Sequence, residues 1–152
     1  MIIYIEDLFR EINILNWYKG EAAKNGVPDA TAAETNADTQ DALMYHLRDA
    51  VTDVLSIANL NWMKFTCEYK DDSLTFSLSP LREGREHLLE LLKNCIRQYL
   101  VYEVRRLWMM NVRPDWADAT KRESLRQNIT DSMTACTKPK ERVRRRYAPL
   151  GI

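Results

Sequence analysis

The sequence predicts a mainly α-helical fold, a three- to four-helix bundle with one inserted β-hairpin and an extended basic C-terminal tail. Three observations predict it. Apolar residues recur at three- and four-residue spacing in separate stretches, as helices that bury one face require. One stretch between them, about 62–79, alternates apolar and polar residues, as strands do. The last stretch, 138–152, has neither period and concentrates arginine and lysine. Residues 1–137 therefore read as a single helical domain and 138–152 as a docking tail.

In the first element Ile5, Leu8, Phe9, Ile12 and Leu15 form one stripe, with Glu6, Asp7, Arg10 and Glu11 opposite, and Trp17 and Tyr18 close the helix. Met1 to Ile5 is apolar but runs at once into Glu6 and Asp7, without a basic leader or a small-residue cleavage site, so we read no export signal. The segment from about 19 to 38 holds two glycines, a proline and many small polar residues, and predicts a long exposed loop. Asp38 or Thr39 caps a second helix, whose stripe is Leu43, Met44, Leu47, Ala50, Val51, Val54, Leu55 and Ala58.

From Trp62 the period becomes two. Met63, Phe65, Cys67 and Tyr69, then Leu74, Phe76 and Leu78, give a hairpin with one apolar face, turned by Lys70-Asp71-Asp72-Ser73. A lone hairpin is marginal in water, so it either lies on the helices or completes a sheet with a neighbouring subunit. Ser79-Pro80 reads as an N-cap with proline at the first helical position. The long helix that follows buries Leu88, Leu91, Leu92, Cys95, Ile96, Tyr99, Leu100, Val104, Leu107 and Trp108, and leaves Arg97, Glu103, Arg105 and Arg106 in water. Pro114 and Asp115 turn the chain into a last helix striped by Trp116, Ala119, Leu125, Ile129, Met133 and Cys136. Its outer face is Lys121, Arg122, Glu123, Arg126, Gln127 and Asp131, and Lys138-Pro139 ends it.

A chain of 152 residues, 45% apolar and 29% charged, is long enough to bury a core and too evenly punctuated by charge for a membrane span. Cys67, Cys95 and Cys136 are odd in number and far apart, which argues against a disulfide framework or a metal site and for small buried hydrophobes in a reducing cytoplasm. The four glycines are too scattered to cradle a phosphate. Neither His46 nor His87 has a second ligand at metal spacing. Asp71 and Asp72 belong to a turn. Asp49 and Asp53, four apart on one helix face, repel mildly unless basic groups answer them; they read as a solvated face, with a neighbouring subunit as the alternative source of those groups. We assign no catalytic residue, cofactor or metal and expect no enzyme. The run LWMMNVRPDW packs two tryptophans and two methionines around a bend, more than one side of a corner hides, and predicts exposed interface surface.

Lysine plus arginine and aspartate plus glutamate number 22 each, yet residues 138–146 carry six bases against one acid, so this segment is +5 and the remainder −5. Such a split marks an interaction tail. Lys138, Lys140, Arg142, Arg144, Arg145 and Arg146 would steer it to an acidic surface, where Tyr147, Pro149, Leu150 and Ile152 dock in a groove. The alternatives are a frayed terminus, or a DNA-binding accessory or regulatory protein acting through this tail; the acidic body opposes the latter.

The order helix, loop, DALMYHLRDAVTDVLSIANL, hairpin FTCEY…LTFSLSPL, long helix HLLELLKNCIRQYLVYEVRRLWM and basic tail resembles the small α-helical head–tail connector (adaptor or neck) proteins of tailed bacteriophages. NWYKGEAAK and TKPKERVRRRYAPLGI are also similar to segments of phage-type proteins of gut bacteria. The resemblance implies a non-enzymatic structural protein of the virion, assembled in the host cytoplasm. It implies a homo-oligomeric ring, a dodecamer in many members, that binds the portal protein and other neck or tail proteins. DNA would pass nearby along its channel without specific binding, and no membrane is involved. The family's portal-inserting segment falls on 138–152, with Arg142, Arg144, Arg145 and Arg146 meeting portal acids and Tyr147, Leu150 and Ile152 filling pockets. Members of that family are helical nearly throughout, so the hairpin and the 19–38 loop are departures from it.

Overall fold

The computed structural model describes residues 1–23, 39–58 and 63–137. The elements run β1 (Ile2–Tyr4), α1 (Ile5–Ala23), α2 (Gln40–Ile57), β2 (Lys64–Tyr69), β3 (Ser73–Ser79), α3 (Glu86–Val112), a short 3₁₀ turn (Pro114–Trp116) and α4 (Arg122–Thr137). The described residues are thus mainly helical, as the periodicity requires, with four α-helices and one three-stranded antiparallel sheet.

Helix α3 is the hub, packing against α1, α2, α4 and β1. Its side chains Leu92, Ile96, Tyr99, Leu100 and Val104 are sealed from water among Leu8 and Ile12 of α1, Leu43, Leu47, Val51 and Val54 of α2, and Ile129 and Met133 of α4. Each such apolar side chain contributes about 1.5–3 kcal/mol by leaving water, which is why the stripes govern which way the helices face.

The hairpin pairs in register from Lys64 opposite Ser79 to Tyr69 opposite Leu74, and Lys70 N donates to Ser73 O across the turn (2.9 Å). Leu74, Phe76 and Leu78 lie buried on the face that carries Phe65 and Cys67, and the Phe65 and Phe76 rings stack at 5.5 Å. The hairpin is not alone. Residues 2–4 form a third strand beside β3, Ile3 opposite Leu74, giving the order β1-β3-β2. The opening apolar run is therefore a sheet strand: Ile3 is buried while Ile2 and Tyr4 face out. The chain itself supplies the strand that stabilises β3, and among the described residues β2 remains an edge.

Three boundaries differ from the sequence reading. Helix α1 runs on to Ala23, so residues 19–23 are helical instead of loop; the remainder of that loop, 24–38, lies outside the described residues. Trp62 and the tail 138–152 also lie outside them. Pro80 does not start a helix: α3 begins at Glu86, with Arg85 at its N-cap. The intervening backbone is held elsewhere. Arg82 N donates to Cys136 O (3.2 Å) and Arg85 Nη1 to Ala135 O (2.9 Å), while Gly84 turns the chain at a φ of 75°, where a side chain would be strained. Third, Trp116 and Ala119 precede α4 instead of belonging to its stripe.

Candidate functional site

Every residue assigned to the docking tail, Lys138, Lys140, Arg142, Arg144, Arg145, Arg146, Tyr147, Pro149, Leu150 and Ile152, lies outside the described residues. Within them, two features stand out: a charged junction between three helices and an uncovered apolar surface on α1.

The junction gathers Asp53 of α2, Tyr99, Glu103 and Arg106 of α3, and Arg122 and Arg126 of α4. The Tyr99 hydroxyl donates to Asp53 Oδ2 and Arg126 Nη1 to Asp53 Oδ1. Arg122 bridges both acids, its Nη2 donating to Asp53 Oδ2 (3.1 Å) and its Nε to Glu103 Oε1 (3.2 Å). Arg106 grips Glu103 in a fork, Nε to Oε2 at 2.8 Å and Nη2 to Oε1 at 2.7 Å. The Glu103 side chain is only 4% exposed and that of Asp53 21%.

This overturns three expectations. Glu103 is buried instead of wet, Arg122 and Arg126 turn inward from the supposed outer face, and Asp53 is answered by bases of its own chain. A carboxylate survives burial only if paired and hydrogen-bonded, and these arginines supply both. The signal was present: Glu103 lies four residues after Tyr99 and three after Leu100, on the apolar stripe itself.

Burial pushes the Asp53 carboxyl up, but the Tyr99 and Arg126 hydrogen bonds and the two arginine charges outweigh it and hold the group below its ordinary value. Burial and the bond to Asp53 push the Tyr99 phenol well up. Both shifts lock the proton on tyrosine and the charge on aspartate. The junction is thus a clamp across α2, α3 and α4.

The α1 surface is the converse. At about 100° per residue, Ile5, Leu8, Phe9, Ile12 and the fully buried Asn16 share one face. Ile14, Trp17 and Tyr18 lie on the opposite one, 48%, 48% and 62% exposed, with Leu15 beside them. The Trp17 and Tyr18 rings meet edge to face at 5.0 Å. A helix apolar on both sides is normally covered on both. Next to this face, Ile5, Phe9, Ile14 and Met44 line a cleft of about 610 Å³, rimmed by Glu6, Asp41, Asp71 and Asp72 with Arg10.

The remaining sequence candidates are placed as follows. His46 is buried, its Nε2 3.2 Å from Asn111 Nδ2, and burial, outweighing Asp49, pushes its imidazole below the ordinary value; His87 is exposed. Asp71 and Asp72 occupy the hairpin tip, where Asp72 O accepts from Ile5 N (2.9 Å). Cys136 is buried and Cys67 and Cys95 half-buried, all three free; burial pushes the Cys67 thiol up to about 11. The LWMMNVRPDW corner exposes less than expected. Trp108 and Met109 are buried, and the Trp116 ring has Arg113 at 4.4 Å and Lys19 at 5.4 Å, so Met110 is its large exposed apolar residue. Lys19 of α1 lies over the Trp116 ring, a contact that the corner's own sequence did not reveal. Among the described residues no group of histidine, cysteine and acidic side chains is placed to hold a metal, and no helix is long and apolar enough to cross a membrane.

Compared with protein-family models, curated proteins and solved structures, the chain matches none.

Proposed function

We propose that the protein is a structural assembly subunit, a head–tail connector of a tailed-phage virion. In this reading it forms a homo-oligomeric ring, binds the portal, and extends the DNA channel toward the tail. The observation that carries the assembly part is the uncovered face of α1. Ile14, Trp17 and Tyr18 are three large apolar side chains exposed within five residues, on the side of the helix turned away from the core, with Leu15 at its border. Exposed apolar surface of this kind marks a protein interface. The β2 edge, unpaired among the described residues, offers backbone groups to a second chain. The ring and the portal come from the order of elements and the basic tail, with residues 138–152 as the portal anchor.

Light scattering and electron microscopy of the full chain, alone and with a portal protein, test this reading. The wild type forms a closed ring and joins the portal. Trp17→Glu with Ile14→Glu yields a folded monomer, and removal of 138–152 leaves the ring but abolishes portal binding. A wild-type chain that stays monomeric and ignores the portal overturns the proposal. Affinity for duplex DNA that falls steeply with salt and vanishes without the tail would instead identify a DNA-binding accessory protein.

A further inference from the structure

A small concavity of about 130 Å³ lies where the C-terminal half of α1 meets the second half of α3 and the turn before α4. It is lined by Lys19, Tyr102, Arg105, Arg106, Met109, Trp116, Asp118 and Lys121. Four of these eight side chains are cationic, in a chain of zero net charge.

Their partners are unequal. Arg106 is neutralised by the fork on Glu103, and its Nη1 rests on Met110 Sδ. Arg105 is half-buried and donates through Nε to Oδ1 of the fully buried Asn16 (2.8 Å). Its two terminal nitrogens have no hydrogen-bond partner among the described residues. Lys19 Nζ donates to Trp116 O (3.1 Å), a neutral acceptor, and Lys121 is exposed. The acid in the lining, Asp118, accepts from the Thr120 amide (2.9 Å). Asp115 also acts on Lys19 but is held by Arg113 (3.0 Å), so Lys19, Arg105 and Lys121 share Asp118 as the carboxylate of the lining, an excess of two positive charges there.

Buried cations stand only where an anion or acceptors answer them. The hydrogen bond to Asn16 also fixes the guanidinium, so its free edge is pre-organised to grip two oxygens side by side. Burial and the neighbouring Arg105 push Lys19 below its ordinary value, against the opposing pull of Asp118 and Asp115.

We propose that this concavity is a binding site for one phosphate-sized oxyanion, gripped by Arg105 and Lys19, with Lys121 at the mouth and Trp116 as the wall. Drug-sized ligand pockets are several-fold larger, about 300–1,000 Å³, so the space suits a single small anionic group. The oxyanion arrives either as the free ion or as a phosphodiester group of nucleic acid, since both present the same oxygens.

The test is an NMR titration of the full-length protein with inorganic phosphate in a fixed chloride background, following the Trp116 indole resonance. A saturable shift is expected. Arg105→Gln should weaken binding about tenfold or more, as loss of a charge-assisted pair does, and Lys121→Gln should weaken it by less. Lys121 is exposed, so that variant keeps the test valid if Arg105→Gln fails to fold. A parallel titration with a short DNA duplex separates the sources. If the duplex leaves Trp116 unmoved while phosphate shifts it, the ligand is the free ion. If duplex binding is weakened by the same two substitutions, it is the phosphodiester. The site is overturned if neither ligand moves Trp116, or if both substitutions leave binding unchanged.

Discussion

The α2–α3–α4 junction and the outer face of α1 treat the same problem, a side chain in the wrong solvent, in opposite ways. At the junction, two carboxylates leave water and their oxygens are met by a tyrosine hydroxyl and three arginines of the same chain. On α1, Ile14, Trp17 and Tyr18 stay in water and no described residue covers them. The first arrangement is complete within one molecule and serves stability. The second is incomplete and leaves surface for another molecule. Polar groups carry a large penalty when unpaired, so a fold closes them internally; exposed apolar groups cost little each and wait for a partner.

Four substitutions break or sharpen this contrast. The largest effect belongs to Glu103→Ala, which strands Arg106 beside a buried cavity and leaves Arg122 with Asp53 alone; a loss of about 3–5 kcal/mol is expected in urea unfolding. Ile3→Ala comes next, at about 2–4 kcal/mol, because it removes a buried side chain from the third strand. A negligible loss there would show that β1 is not needed to hold the sheet. Tyr99→Phe keeps the ring and deletes the hydroxyl that serves Asp53, for about 1–2 kcal/mol. Trp17→Glu should move stability by no more than about 0.5 kcal/mol, as surface changes do, while its effect falls on assembly. A large loss of stability in that variant would place Trp17 in the core after all.

Acid titration offers a further check on the clamp. The folded Asp53 carboxyl is depressed, so the unfolded chain binds its proton first and the native state keeps the ion pair. Its contribution is complete above the unfolded value of about 3.9 and is lost as pH falls through the lower folded value. Asp53→Asn should therefore flatten the decline of stability below about pH 4. His46 also loses stability on acidification but in a higher window: its folded pKa is lowered, so below about 6.5 the unfolded chain takes up the proton that the buried ring refuses. His46→Gln should remove that upper slope and leave the lower one intact.

Much of this was legible in residue order. The α2 stripe, the hairpin with its KDDS turn and the long α3 follow from period and punctuation, because each pattern needs one buried face and a local bend. The clamp was half legible. Asp53 was visible as a charge in need of an answer, but Glu103 and Arg106 read as wet, since long charged side chains usually are, and nothing local says that α4 arrives above them. The corner at Trp108–Trp116 misled for a similar reason: one of the cations over Trp116 is Lys19 of α1, remote in sequence.

Local pattern thus settled the helical character, the hairpin and which face of most elements is apolar, since periodicity acts within a few residues. Packing alone decided that Ile2–Tyr4 joins β3, that Arg122 and Arg126 turn inward to Asp53, and that Arg105 and Lys19 meet at one small concavity. Strand pairing, ion pairing and the crowding of like charges all depend on distances between residues far apart in the chain, and those distances exist only once the helices have docked.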